Sequence, residues 1–155
     1  MAVPNRFDIR NQDAFPHGTF AFLATEVKPA RDFEASTPGN EVQARDEKGT
    51  GLPLWTFDVL DADPAAQGKN AAITVRIASE YMPTLPEAPA GSPVRPVEFE
   101  GLTATPYVDS QRCNGNSQRC RSRLAWSFRA TGIRAPEPKS AARGPASKAA
   151  REQAA

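Results

Sequence analysis

The clearest pattern in the chain lies in residues 54–60, where apolar and polar side chains alternate. Trp55, Phe57 and Val59 occupy every second position, and polar residues separate them. Successive side chains of a strand point to opposite faces of a sheet. The alternation therefore predicts a strand with one buried face.

Shorter apolar runs predict four further strands, near residues 19–27, 71–78, 97–108 and 123–131. Gly101 lies inside one of these runs and predicts a bulge or a sharp bend there. Residues 81–96 contain five prolines, which predicts an extended connection. Trp126 follows the alternation of the last run, so we predict that it joins Trp55 in the core rather than stacking on a base.

The fifteen prolines and the lack of a helical pattern favour a turn-rich β-protein. We expect an all-β fold, a small five- or six-stranded antiparallel OB-like barrel, with a small sandwich as the other arrangement. An OB barrel usually has a helix where this chain has its proline-rich connection. We expect a flexible N-terminus over residues 1–14, the β-barrel domain over 15–134, and a disordered basic tail over 135–155, which lacks the apolar residues that stabilise folded structure.

The net charge of +1 hides an asymmetry along the chain. Residues 1–109 contain nine Lys and Arg and sixteen Asp and Glu, a net charge of −7. Residues 110–155 contain ten and two, a net charge of +8. A basic segment of this kind is typical of proteins that bind polyanions, and it also occurs as a solubilising tail. Charge alone leaves both interpretations open.

The sequence contains no catalytic motif. His17 is the only histidine, and it follows a proline and precedes a glycine, so we expect it to be a loop residue. Cys113 and Cys120 lie seven residues apart in a polar loop. A disulfide between them is one arrangement, but free thiols are expected in a chain without an export signal. We therefore expect a protein that is not an enzyme and that has no metal and no cofactor.

The first residues include no apolar leader region, and no run is long and apolar enough to span a membrane. We therefore expect a cytoplasmic protein that does not contact a membrane.

Arginines concentrate in and before the last predicted strand. Arginine neutralises the phosphates of nucleic acids, and aromatic rings stack on the bases of single strands. Arg123 and Arg129 share the polar face of that strand, and Arg76 lies on the polar face of the strand 71–78. The candidate nucleic-acid contacts are Arg76, Tyr107, Arg112, Arg119, Arg121, Arg123 and Arg129.

Five short segments also carry a family resemblance. They are Phe15-Pro16-His17-Gly18, Gly51-Leu52-Pro53-Leu54-Trp55, Asp58-Val59-Leu60-Asp61-Ala62-Asp63, Pro96-Val97-Glu98-Phe99-Glu100-Gly101-Leu102-Thr103 and Arg129-Ala130-Thr131-Gly132-Ile133. In this order they resemble the plasmid replication, integration and excision activators of actinomycete integrative and conjugative elements. The resemblance covers about residues 15–134, and the loop with the two cysteines looks like an insertion.

The resemblance implies a regulatory protein that promotes replication, excision and integration of a mobile element and is not itself the recombinase. It implies no particular functional residues, so the DNA contacts named above stand on the strand pattern. We expect DNA as the partner, single-stranded rather than double-stranded, together with replication or recombination proteins of the same element. The alternative is a protein–protein adaptor that contacts the replication initiator or a transcription regulator without binding DNA. The acidic residues 1–109 suit that role.

Overall fold

A computed structural model of the chain describes residues 4–110, 113 and 122–138. These residues form a curled, mixed sheet with almost no helix, which confirms the all-β class. The helical elements of the described ranges are a four-residue helix, α1 (Asn11–Ala14), and a 3₁₀ turn (Gly68–Asn70). The strands are β1 (Phe7–Asp8), β2 (Thr19–Phe22), β3 (Lys28–Pro29), β4 (Leu54–Asp61), β5 (Ala72–Ala78), β6 (Val94–Glu100), β7 (Thr103–Asp109), β8 (Arg123–Ala130) and β9 (Gly132–Arg134).

The centre of the sheet is the antiparallel pair of β4 and β5, and the full order is β1-β7-β8-β5-β4-β2-β6-β9, with β3 also on β4. β5 and β8 run parallel, whereas the other strand pairs are antiparallel. The expectation of five or six wholly antiparallel strands is therefore corrected to nine strands in the described chain, with one parallel pair. β1, β3 and β9 were missed because strands of two or three residues are too short to show an alternation.

Gly101 turns the chain between β6 and β7. Its φ is +56°, in the left-handed region that glycine adopts without a steric penalty. β6 pairs with β2 before the turn, and β7 pairs with β8 after it. The predicted bend is confirmed, and it divides the predicted strand 97–108 into two strands with different neighbours.

The main hydrophobic core lies on one face of the sheet, and a smaller buried cluster of Ala30, Leu54 and Ala78 lies on the other face. Trp55 packs against the main core and donates its indole Nε1–H to the carbonyl oxygen of Ser79 at 3.0 Å. Burial of this apolar surface is the main contribution to the stability of a domain of this size. The largest fully buried side chains of the core are Phe57, Val59, Val75, Ile77, Val97 and Phe99.

Trp126 is 48% exposed, so the prediction that it joins the core is wrong. β5 pairs only with residues 128–130 of β8, and Trp126 lies beyond that pairing, opposite Pro106 of β7. The hairpin of β7 and β8 therefore extends past the core, and its end is exposed on the face that carries Trp126. Alternation shows which side of a strand a residue occupies, but it does not show where the opposing layer ends.

The N-terminal residues are attached to the sheet by Asn11. Its Nδ2–H donates to the carbonyl oxygen of Phe99 at 2.6 Å, and its Oδ1 accepts from the Phe99 N–H at 2.9 Å. β1 pairs with β7 at Thr103 and Ala104. Residues 7–14, part of the segment that we expected to be a flexible N-terminus, therefore contribute a short strand and a short helix that contact the sheet. These contacts join residues that are far apart in the chain, so no local pattern indicates them.

Replacing Gly101 by Ala is expected to destabilise the fold more than replacing Gly68, although the φ values of +56° and +59° are nearly equal. Both substitutions introduce backbone strain of about 1–3 kcal/mol. A Cβ on Gly101 would also meet Thr131, at 2.7 Å from Oγ1, whereas nothing lies within 4 Å at Gly68. In urea-induced unfolding we expect Gly101→Ala to cost about 1–2 kcal/mol more than Gly68→Ala.

The substitution Thr131→Ala removes the atoms that the new Cβ would meet. We therefore expect the double variant Gly101→Ala/Thr131→Ala to lose less free energy of unfolding than the two single variants lose together. Equal losses for Gly101→Ala and Gly68→Ala, or strict additivity in the double variant, would show that Thr131 does not restrict the turn.

Candidate nucleic-acid interface

The outer face of β5 and β8, opposite the core, brings Arg76 and Arg129 side by side. The two are direct partners in the parallel register, so their side chains leave the sheet on the same face. Their neighbours Val75 and Ile77 are fully buried on the other face. Arg76 is exposed, and the side chain of Arg129 is 26% exposed.

A buried carboxylate from the connection between β3 and β4 lies against this pair. The side chain of Asp46 is 4% exposed, and its Oδ1 accepts hydrogen bonds from Arg129 Nη1 and from Arg6 Nη2, the latter at 3.4 Å. Its Oδ2 accepts from the N–H of Thr50 at 3.2 Å. Asp46 therefore connects the N-terminal segment, its own turn and the last long strand.

A hydrogen bond and two positive charges around Asp46 favour its ionised form. Burial by itself would raise the pKa of Asp46, but the Thr50 N–H and the charges of Arg129 and Arg6 outweigh it, and the pKa lies below its ordinary value. Burial, together with the charges of Arg6 and Arg76, lowers the pKa of Arg129, and Asp46 offsets this only in part. Arg6 and Arg129 share the carboxylate of Asp46, and Arg76 lies beside Arg129 without an ion pair to Asp46, so this cluster of four side chains has a net positive charge.

Tyr107 and Arg123 lie further along the same face. Arg123 and Arg129 are an even number of residues apart on β8, and Tyr107 of β7 is the register partner of Ala125, which lies between them. All three side chains therefore leave the sheet on the same face. The side chain of Tyr107 is 50% exposed. Arg123 pairs with Asp109 at 3.5 Å and donates to Asn70 Oδ1 at 3.0 Å. The face therefore offers an accessible aromatic ring beside its arginines.

Four of the seven predicted contacts thus share one face of the sheet: Arg76, Tyr107, Arg123 and Arg129. The other three, Arg112, Arg119 and Arg121, lie outside the described residues. Among the arginines of this face, Arg76 alone makes no hydrogen bond or ion pair within the described chain. Sequence reasoning missed Arg6 and Asp46, because their contacts span 40 and 83 residues and leave no local signal.

Cys113 forms a disulfide bond, which corrects the expectation of a free thiol at this position. It lies just after β7, in the connection whose two ends are brought together by the pairing of Asp109 with Arg123. The spacing of the two cysteines along the sequence does not show that the two ends of this connection lie close together. Cys120 lies outside the described residues.

The described residues contain no group of three or more His, Cys, Asp or Glu side chains that are placed to hold a metal ion. Within the same ranges, no helix has the length and apolar character needed to cross a membrane. Comparison with protein-family models, curated proteins and solved structures finds no match to the chain. A function therefore has to be inferred from the residues of this chain itself.

Replacing Asp46 by Asn is expected to lower the free energy of unfolding by about 1–3 kcal/mol at pH 7, because two partly buried guanidinium groups lose their counterion. The folded state lowers the pKa of Asp46, so its contribution is fully present above the pKa of an unfolded Asp, about 3.9. The contribution is lost as the pH falls through the lower pKa of the folded state. Urea unfolding of both proteins from pH 7 to about pH 3 should therefore show the difference shrinking below about pH 4.

Glu47→Gln provides the matched control, since Glu47 is the exposed neighbour in the same turn. Its removal should change the free energy of unfolding by less than about 0.5 kcal/mol across this pH range. A difference between wild type and Asp46→Asn that stays constant with pH would contradict the assigned role of the carboxylate.

Proposed function

We propose that the protein is a non-enzymatic, cytoplasmic DNA-binding accessory protein that activates replication, integration and excision of a mobile element, with single-stranded DNA as its preferred ligand. One observation supports the DNA-binding part: Arg76 lies beside Arg129, which shares the carboxylate of Asp46 with Arg6, so this cluster of four side chains has a net positive charge. The role as an activator is supported by the resemblance of the sequence to the activator family.

An OB-like barrel would place this face where that fold binds oligonucleotides, on its second and third strands and the adjoining loops. The strand pairings support this interpretation, since they run β2-β4-β5-β8-β7, and β6 returns the chain to β2. β6 and β7 would together form one barrel strand that is bent at Gly101. Arg76 would then lie on the third strand, and the sequence between β7 and β8, residues 110–122, contains three further arginines.

Arg76 is the best-placed contact for a phosphate. It is exposed, it has Arg129 beside it, and it has no acidic partner within the described chain. A bound phosphate would reduce the repulsion between these two guanidinium groups and form charge-assisted hydrogen bonds. The ring of Tyr107 is open to an unpaired base, which favours single-stranded over double-stranded DNA.

Replacing Arg76 by Gln is expected to weaken binding of a fluorescent oligothymidylate, because one phosphate contact is lost. The slope of log K against log salt should fall by about 0.7, the value for one contact with a single strand. Fluorescence anisotropy at several salt concentrations measures both quantities. Arg10→Gln is the control for charge, since Arg10 pairs with Asp13 on a different part of the surface.

Arg10→Gln should leave the slope unchanged. Equal losses in Arg76→Gln and Arg10→Gln would mean that this face does not bind DNA. Binding that is absent at low salt with both single- and double-stranded DNA would reject direct DNA binding altogether.

Replacing Tyr107 by Ala is expected to cost about 1–3 kcal/mol of affinity for the same oligonucleotide, because one stacked base is lost. Tyr107→Phe retains the ring and should bind nearly as well as the wild type. Tyr81→Ala is a control for loss of an exposed ring elsewhere, since Tyr81 is 75% exposed. The stacking role would be wrong if Tyr107→Phe and Tyr107→Ala bound equally weakly.

A further inference from the structure

A second surface, separated from the arginine face by β4 in the sheet order, has the opposite charge. An open groove of about 1440 Å³ runs between residues 8–20, β6 and residues 134–138. Phe20 of β2 and its register partner Pro96 of β6 line it on the side of the sheet away from the core. This part of the groove therefore lies on an outer sheet face, as the arginines do, but on different strands.

The floor of this groove continues into an apolar strip. Phe22 and Val94 form the next pair on the same face, and the rings of Phe20 and Phe22 meet edge to face with centroids 6.3 Å apart. Phe22 is 54% exposed and Leu23 is 47% exposed. A solvated sheet face normally carries polar residues at such positions, so this strip has the character of an interaction surface.

The groove is acidic. Five carboxylates and two guanidinium groups line it, which gives a net charge of −3 with a neutral histidine. Arg10 pairs with Asp13, and Arg134 pairs with both Glu98 and Glu137. The two remaining carboxylates, Asp8 and Glu100, have no ion pair within the described chain.

We propose that this groove docks a basic and apolar segment of a partner protein. The carboxylates attract Lys and Arg side chains, and the strip around Phe20 and Phe22 buries large apolar side chains of the same segment. DNA is a poor occupant because its phosphates would be repelled. Residues 139–155 of the chain are basic, but their apolar residues are only Ala and Pro, which do not match an aromatic strip.

The docking site and the arginine face are formed by different strands and have opposite charges. A partner protein in the groove would therefore leave the DNA-binding face open, and the chain could hold both partners at once. This inference goes beyond the proposed function, because the groove has its own ligand chemistry and is tested without DNA.

The test uses the full chain and a short fluorescent amphipathic peptide of Leu and Lys, with a Leu–Glu peptide of the same apolar pattern as the counter-probe. We expect the Leu–Lys peptide to bind about tenfold more tightly than its counterpart, and Phe20→Ala/Glu100→Gln to weaken it about tenfold. The control variant Phe33→Ala/Glu34→Gln removes an exposed ring and a carboxylate outside the groove and should have less than about a twofold effect. Backbone amide shifts in NMR should change along β2 and β6.

Equal affinity for the two peptides, or equal losses in the groove and control variants, would overturn the proposal. If Phe20→Ala lowers the stability of the fold, Phe22→Ser provides the same test, because Phe22 is the more exposed of the two rings. If the wild type is a dimer and Phe22→Ser makes it dissociate, the strip binds a second copy of the chain, and this result would also overturn the proposal. Single-stranded DNA binding should survive the groove substitutions, so a failure of DNA binding in the wild type would count against the proposed function alone.

Discussion

β6 and β7 follow each other directly in the chain but pair with different strands, and the backbone at Gly101 makes this possible. The left-handed φ at this residue sends β6 to β2 and β7 to β8. The N–H of Thr131 donates to the carbonyl of Glu100 at 2.8 Å and closes the turn from the other side. β7 pairs with β8, and β8 pairs with β5, so the turn belongs to the series of strand pairings that places Arg129 beside Arg76.

The buried carboxylate of Asp46 then fixes the positions of two of the arginines. Asp46 holds Arg129 and Arg6 in place, and its own turn supports it through the Thr50 N–H. Arg129 is therefore held by Asp46, whereas Arg76 makes no hydrogen bond or ion pair within the described chain. The positively charged guanidinium groups lie close together in this arrangement. Their repulsion is offset because burial of Asp46 strengthens its attraction to Arg6 and Arg129.

The distribution of charge in space differs from its distribution along the chain. Arg6 and Arg76 belong to the acidic part of the sequence, residues 1–109, yet they contribute to the positive face. The acidic groove in turn includes Arg134 and Glu137 from the basic part. Folding thus separates two surfaces of opposite charge that the linear asymmetry does not reveal.

The sequence by itself determined the strands β4 and β5, the bend at Gly101 and the side of the sheet on which Arg76 lies. These follow from alternation and from the conformational freedom of glycine, which are local properties. Only the tertiary structure decided the exposure of Trp126, the parallel partnership of β8 and the contact of Asp46 with Arg129. Each of these depends on which distant segment lies opposite, and the pairing of distant segments is set by the packing of the whole sheet.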